Sequence, residues 1–345
     1  MSSAQTESNI LDSCALLRRS IGLTWLFVCV LTACAGEDSH AIRIGTSSVG
    51  STYYGLAVAI SELILEHAEI NSTVEPVGGS APNVFALDAN RIDVAVVNAF
   101  AAYSGFRGID QFPRPVNIRL VMQGQLSFRH FLVRSDAEIE SPADLVGKTI
   151  VAERPANPDL ILIMKGVIEA FNLPADEIQI ISTTNTSEVM RALSVGSIDA
   201  ALLPFSGDSP IVEEAMRNGL VRLLEIPVTK RDEILDRLPA AIQGATIAAG
   251  TFTNQTMDLP TFSMTTYLVA QEGVPAETVH RILGVLIEHA EEFRNYQSMA
   301  REWTLERTLS VATLPFHEGA VRYFKERDLW TDQLATRQQA LLIEM

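Results

Sequence analysis

Cysteine is nearly absent from this chain. The 345 residues contain three cysteines, Cys14, Cys29 and Cys34, and none follows Cys34. A chain without later cysteines builds no disulfide framework and carries no thiol that an oxidising compartment could damage. This pattern is typical of a protein that works outside the cytoplasm.

The residue spacings that mark common enzymes are also lacking. No His-Glu-x-x-His, Gly-x-Ser-x-Gly or Walker sequence occurs, and the loops at 47–52 and 153–158 contain no lysine or cysteine. The histidines show no metal-ligand spacing. We therefore expect a protein that is not an enzyme, with no resident metal and no cofactor. The six histidines are His40, His67, His130, His280, His289 and His317.

Positive charge is scarce. The chain has 26 lysines and arginines against 42 acidic residues, which gives a formal net charge of −16. Such a surface repels the phosphate backbone, and no basic stripe offsets it. Nucleic acid is therefore excluded as an expected partner.

The apolar run near the start is too short to cross a membrane. It comprises the thirteen uncharged residues Ile21–Ala33, whereas a spanning helix takes about 20. Arg18 and Arg19 precede it, as in a signal peptide, and it leads directly to Cys34. The sequence Leu-Thr-Ala-Cys at this point resembles the lipobox of bacterial lipoproteins, in which the cysteine is acylated. The alternative is a buried amphipathic helix that happens to carry Cys34.

The first interpretation divides the start of the chain into a signal peptide over 1–33 and a polar tether over 34–41. It predicts lipidation of Cys34. The protein would then lie in the periplasm or at the outer face of the cell membrane, attached to that membrane by the lipid.

Beyond residue 41 the chain contains two similar halves. At an offset of 106 residues, the segment around 92–97 matches that around 198–203, and Ile44 matches Ile150. Each half reads strand, helix, strand, helix, strand, with helices of about 10 to 15 residues, which predicts parallel sheets. The continuous apolar strand at 94–97 suits a sheet that is covered on both faces.

Two such halves predict a two-lobed α/β protein in which each lobe is a mainly parallel sheet flanked by helices. Extended runs at 117–125 and 128–134 could cross between the lobes, and 245–267 could return. Helices at 275–294 and 315–325 would then pack on the first lobe. We assign 42–127 plus 245–345 to lobe I and 128–244 to lobe II, with the two crossovers forming a hinge. Ligands bind at the carboxyl ends of such strands, which here meet in a shared cleft.

Five stretches of the chain together have the pattern of one family of receptors. They are Gly45–Tyr54 (GTSSVGSTYY), Val77–Asn83 (VGGSAPN), Ile92–Asn98 (IDVAVVN), Ser141–Lys148 (SPADLVGK) and Leu314–Phe324 (LPFHEGAVRYF). They resemble the TAXI receptors, the solute-binding subunits of one branch of the TRAP transporters, and the resemblance covers about residues 42 to 325.

The resemblance implies a type II periplasmic-binding-protein fold, no catalysis, and delivery of a solute to membrane-spanning TRAP subunits. The ligands of the family are typically small carboxylates or amino acids. One departure is the loop 153–159 (ERPANPD), where the family usually has Gly-Ser-Gly. The resemblance therefore supports the expected fold more strongly than the expected ligand. We expect a monomer.

Polar residues in the loops that follow the predicted strands are the candidate ligand contacts. Hydroxyls near the start of the helix at Tyr53 suit an anion, and the Arg154 guanidinium could bind a carboxylate with two hydrogen bonds. Arg129 and His130, on a crossover strand, would point to opposite faces. The full candidate set is Thr46, Ser47, Ser48, Ser51, Tyr53, Ser80, Asn83, Asn98, Arg154, Asn157, Ser206 and Gly207.

Plainer interpretations stand beside these. Ser51 could merely cap the helix, Asn83 could be an ordinary helix residue, and Arg154 could pair with Glu153 or Asp159 on the surface. At the level of function, the alternatives are a receptor of the same fold for an ATP-driven importer or a membrane sensor, and an enzyme on the same scaffold.

Overall fold

The computed structural model describes residues 41–343, so the predicted signal peptide and Cys34 lie outside the described residues. Two successive strand-helix-strand-helix-strand segments build the two wings of one sheet. The first wing has the order β2-β1-β3, all parallel, with Ile44 paired to Val74 and to Val94. Its elements are β1 Ile42–Thr46, α1 Thr52–Ala68, β2 Ser72–Pro76, α2 Ser80–Asp88 and β3 Val94–Asn98.

The second wing repeats this arrangement in the order β7-β5-β6, again parallel. One hydrogen bond is repeated at the 106-residue offset. Asp93 accepts from the backbone N–H of Arg43 at 2.8 Å, and Asp199 accepts from that of Thr149 at 2.9 Å. Both aspartates therefore fix the start of the first strand in their wing. The elements are β5 Thr149–Glu153, α4 Asp159–Ala170, β6 Gln179–Ser182, α5 Thr186–Ser194 and β7 Ala200–Phe205.

Two long antiparallel strands, β4 Ile118–Arg134 and β10 Leu259–Gln271, lie between the wings and join them into one sheet. β10 pairs with β3, and β4 pairs with β7. The predicted runs at 117–125 and 128–134 are thus one continuous strand. The predicted return over 245–267 is two strands instead, since β9 Gln243–Ile247 folds back antiparallel on β10.

The remaining helices cover the sheet, and the C-terminal ones return to the first wing, where α8 packs on α1 and α11 packs on α8. The predicted helix at 275–294 is interrupted at His289, whose backbone is not helical. The further elements are α3 Ala99–Arg107, α6 Pro210–Arg217, β8 Val221–Leu223, α7 Val228–Leu235, α8 Ala276–Glu288, α9 Ala290–Tyr296, α10 Leu305–Thr308, α11 Glu318–Glu326 and α12 Asp332–Ile343.

Close packing of α11 on α8 depends on a glycine. A Cβ added at Gly319 would lie 2.2 Å from the carbonyl oxygen of Ala276, so a larger residue would push the two helices apart. β3 is buried at every position because helices cover both faces of the sheet. Among residues 41–343, no helix is both long and apolar enough to cross a membrane.

Candidate ligand-binding site

The loop after β1 carries the first predicted residues. Ser51 caps α1 by accepting a hydrogen bond from the N–H of Tyr54 at 3.1 Å, so the capping role is real. Thr46, at the end of β1, is fully buried, and its Oγ1 has no hydrogen-bond partner among the described residues. Ser47 is half-buried and Ser48 is exposed.

Three buried residues, Asn98 at the end of β3 and Ser80 and Asn83 at the start of α2, form hydrogen bonds that connect the loops of the first wing. The N–H of Asn98 donates to Ser80 Oγ at 3.0 Å, and Asn98 Oδ1 caps α3 by accepting from Ala101 at 2.8 Å. Asn83 donates to the carbonyl of Gly79 at 2.8 Å. Asn83 Oδ1 faces Gly45, where an added Cβ would come within 2.4 Å of it. The structure therefore gives all three residues internal hydrogen bonds at the predicted edge of the sheet.

Tyr53 reaches from α1 to both crossing strands. Its hydroxyl lies 3.1 Å from Thr266 Oγ1 on β10 and faces Ser127 and Arg129 on β4. Burial raises the pKa of Tyr53, which the hydrogen bond to Thr266 and the positive charge of Arg129 partly oppose. Tyr53 is thus a neutral phenol at the junction of the wings.

A fully buried ion pair lies beside this tyrosine. Arg129 donates through Nε to Asp159, at the start of α4, and through Nη1 to Ser127 Oγ at 2.9 Å. The second oxygen of Asp159, Oδ1, is buried without a hydrogen-bond partner among the described residues. Removal of either partner would leave an uncompensated buried charge and would therefore destabilise the fold.

His130 points to the opposite face of β4, as the alternation predicts. It lies among Phe128, Phe205 and Phe252, with ring centroids 5.6 to 6.3 Å away. Burial and then the charge of Arg129 lower the pKa of His130 to about 3, and the nearby backbone of Gly207 offsets only part of this. His130 is therefore a neutral core residue.

Arg154 lies at the other side of the wing junction. Its Nη1 donates to Thr186 Oγ1 at 3.2 Å and its Nη2 to the carbonyl of Thr184 at 3.3 Å. It forms no ion pair with any residue in 41–343, and its buried Nε has no partner there. The predicted pairing with Glu153 or Asp159 is thus not formed. Burial, followed by repulsion from Arg129, lowers the pKa of Arg154, which nevertheless stays charged.

A pocket of about 410 Å³ lies between the wings at Arg154. The first wing contributes the start of α2, and the second contributes the loop from Glu153 into α4. The wings also touch beside it, since a Cβ added at Gly79 would lie 2.7 Å from Cβ of Ala156. The walls are mainly apolar, with charge supplied by Arg154 and the exposed Glu153. The lining residues are Ala81, Pro82, Phe85, Gln111, Glu153, Arg154, Pro155, Pro158 and Ile161.

The other predicted residues of the second wing follow two of its strands, Asn157 after β5 and Ser206 and Gly207 after β7. Asn157 donates its N–H to the carbonyl of Arg154 at 2.9 Å and so belongs to the same loop. Gly207 packs against the Phe128 ring. A Cβ added at Gly207 would lie 3.0 Å from Cε2 of that ring. Asp208, next to it, forms an exposed ion pair of 3.3 Å with Arg301 of the segment 298–302. The neighbouring Ser206 is half-buried.

Sequence reasoning missed the partner of Arg129. The sequence suggested Asp159 only as a possible surface partner of Arg154, whereas in the structure Asp159 is fully buried. Its position immediately after Pro158, in the first turn of α4, was the available signal, because an acid is favoured there. Nothing in the sequence indicated that α4 would bring it to a strand 30 positions earlier.

Residues 44–327 match the model of the NMT1-like family. The chain belongs to this family. The match spans both wings and both crossing strands, so the whole architecture described above is included.

Solved structures with a similar course of the chain include periplasmic binding proteins. MatC from Rhodopseudomonas palustris with bound malate has a TM-score of 0.52 and 13% identity, and the match covers 85% of this chain and 98% of MatC. A putative sulfonate-binding protein SsuA from Methylobacillus flagellatus KT gives 0.49, with 14% identity over 85% and 96% of the two chains. The arginine-, lysine- and histidine-binding protein ArtJ from Geobacillus stearothermophilus gives 0.46, with 12% identity over 79% and 97%.

At this level of identity the likeness concerns the fold. The predicted α/β architecture, a two-lobed periplasmic-binding-protein fold of type II, is confirmed. The observed topology agrees with the predicted one, because two parallel wings are connected by two antiparallel crossing strands.

Proposed function

We propose that this chain is an extracytoplasmic solute receptor that binds a small carboxylate or amino acid between its wings and delivers it to a TRAP transporter of the TAXI type. The observation that carries the proposal is Arg154. It is a partly buried guanidinium in the pocket between the wings, with no acidic partner among residues 41–343.

The charges around the pocket favour an anionic group at Arg154. Arg129 is already compensated by Asp159, whereas Glu153 is exposed and does not pair with Arg154. Solvent and salt screen the exposed carboxylate more than the partly buried guanidinium. A carboxylate placed against Arg154 would gain a charge-assisted hydrogen bond in a site with largely apolar walls.

A ligand ammonium or hydroxyl group would also find an acceptor at this junction. Asp159 Oδ1 is buried without a hydrogen bond in the described structure, and the second Asp159 oxygen contacts Arg129, which in turn faces Arg154. Thr46 Oγ1, likewise without a hydrogen-bond partner among residues 41–343, lies at the end of β1. An amino acid supplies both a carboxylate and a donor, and this combination supports the proposed class of solute.

The division into lobes follows from the same proposal. We assign 42–127 plus 245–345 to lobe I and 128–244 to lobe II, because β4 and β10 are the segments that pass between the wings. Closure over a solute would then take place about these two strands. The stretches that resemble TAXI receptors support the choice of a TRAP carrier as the partner.

Native mass spectrometry of freshly purified protein tests the proposal. We expect a co-purified small molecule whose mass, after release, is that of a carboxylic acid or amino acid. Calorimetric titration with amino acids and dicarboxylates should then show binding at one site, whereas sugars and aliphatic sulfonates should bind much more weakly. Recovery of a sugar or a sulfonate, with no carboxylate bound in the titrations, would contradict the proposed ligand class.

The membrane anchor has its own test. We propose that the protein is held at the outer face of the cell membrane or in the periplasm by a lipid on Cys34. In the variant Cys34→Ser, cell fractionation should show the protein released from membranes or left unprocessed, because serine cannot carry the thioether-linked lipid. Correct cleavage and unchanged membrane association in this variant would rule out the anchor.

A further inference from the structure

A cluster of two histidines and one glutamate lies on the outer helices of the first wing. His67 is in the last turn of α1, His289 lies between α8 and α9, and Glu292 is in the first turn of α9. Their potential ligand atoms all lie within 4.8 Å of one another. Glu292 reaches both rings, with 2.8 Å to His67 Nε2 and 3.1 Å to His289 Nδ1.

The chemistry of these three groups suits a divalent transition-metal ion. Two imidazoles and one carboxylate form a common ligand set for Zn²⁺, in which water completes a tetrahedron. With metal–ligand bonds of about 2.0–2.2 Å, tetrahedral ligand atoms lie roughly 3.3–3.6 Å apart. The observed separations of 2.8 and 3.1 Å need to widen only slightly.

The two histidine side chains are in direct contact. The two imidazoles are stacked, with centroids 3.5 Å apart and planes inclined by 14°. Glu292 contacts one nitrogen of each ring, through Oε2 for His67 and through Oε1 for His289, so the three side chains meet at one point.

We propose that His67, His289 and Glu292 form a binding site for Zn²⁺ or a similar divalent transition-metal ion, which fastens α1 to the junction of α8 and α9. A metal binds in the plane of an imidazole ring, so the stacked rings must rotate apart when the ion enters. Both side chains are partly exposed, at 20% and 31%, so this rotation does not require the core to repack. The site is distinct from the ligand pocket, because none of its three residues lines that pocket.

The sequence alone does not reveal this cluster. His289 and Glu292 are one turn apart, but the third ligand lies 225 positions before Glu292 and meets it only when α1 packs on the C-terminal helices. A second histidine–glutamate pair, between α8 and α11, provides a control. His280 contacts Glu326 at 2.7 Å and packs on the Tyr323 ring, and within residues 41–343 this pair belongs to no group of three potential metal ligands.

Isothermal titration of Zn²⁺ into chelator-treated protein without a histidine tag tests the site. We expect one saturable site per chain. Loss of a group that merely supports a metal ligand costs about 10- to 100-fold in affinity, so removal of a ligand should cost at least about tenfold. We therefore expect such a loss in His67→Gln and in His289→Gln, and unchanged affinity in His280→Gln.

Cobalt(II) provides an independent measurement. Its visible absorption should show the intense bands of a tetrahedral ion in the wild-type protein and in His280→Gln, and these bands should be lost in His67→Gln. Thermal unfolding in the presence of a chelator verifies that each variant is folded, and Glu292→Gln replaces any histidine variant that is not. Absence of saturable binding, or equal affinity in the His67 and His289 variants and the wild type, would overturn the assignment.

Discussion

Replacing Arg129 with methionine is expected to lower the free energy of unfolding by about 3–5 kcal/mol. The substitution leaves Asp159 fully buried and without its cation. A buried charge that has lost its partner costs several kcal/mol, whereas the volume of methionine limits the cavity that is left. Urea denaturation, followed by fluorescence or circular dichroism, measures the change.

The double variant Arg129→Met/Asp159→Leu is the matched control. Removal of both charges should recover most of the lost stability, because a buried ion pair is often worth no more than well-packed apolar residues of similar size. The two single variants and the double variant form a cycle that isolates the pair from the other contacts of each side chain. If the double variant is as unstable as Arg129→Met, the loss arises from the hydrogen bonds of Arg129 to β4 and not from the unpaired aspartate.

Replacing Arg154 with alanine is expected to weaken binding of the physiological carboxylate by at least about tenfold. A charge-assisted hydrogen bond contributes about 1.5–3 kcal/mol, which corresponds to roughly 10- to 150-fold in affinity. Arg154→Lys should restore only part of the affinity, because lysine keeps the charge but cannot form the planar two-bond contact. Calorimetric titration of the three proteins with the ligand found by mass spectrometry gives the comparison.

Arg237→Ala is the control for this series. Arg237 is about half exposed in the second wing and pairs with Glu233 and Glu169, so its loss removes a charge without touching the pocket. We expect unchanged affinity in this variant. Equal binding by Arg154→Ala and the wild type would mean that Arg154 only fastens the loop at Thr184 and Thr186.

Much of the architecture was predictable because, within each wing, the local sequence pattern favours the same strands and helices that the fold contains. The order of strands and helices over 41–98 and 148–205 was predicted, since apolar runs, glycine turns and helix starts alternate clearly there. The long strand β4 was split in the prediction because its middle, Gln123 to Ser127, is polar. This middle pairs with β10, a contact between distant segments that no local pattern displays.

The site was less predictable than the fold for the same reason. The side chains of Ser51, Asn83 and Asn98 were placed at the correct edge of the sheet, but a single sequence cannot distinguish a helix cap or an internal hydrogen bond from a ligand contact. The role of Asp159 depends on how α4 packs against β4. The pocket itself depends on how closely the wings approach, which Gly79 and Ala156 determine.

Strand β10 is synthesised late but lies in the middle of the sheet, so β3 and β4 are made well before the strand that pairs with both of them. β10 lies between β3 and β4, and its Thr266 pairs with Asn98, 168 positions earlier. Any chain that ends before residue 259 therefore has one edge of β3 and one edge of β4 unpaired. Unpaired strand edges of this kind promote aggregation, and contacts between such distant segments form slowly. The first wing is thus made first and completed last, so a growing chain needs protection until its final quarter is present.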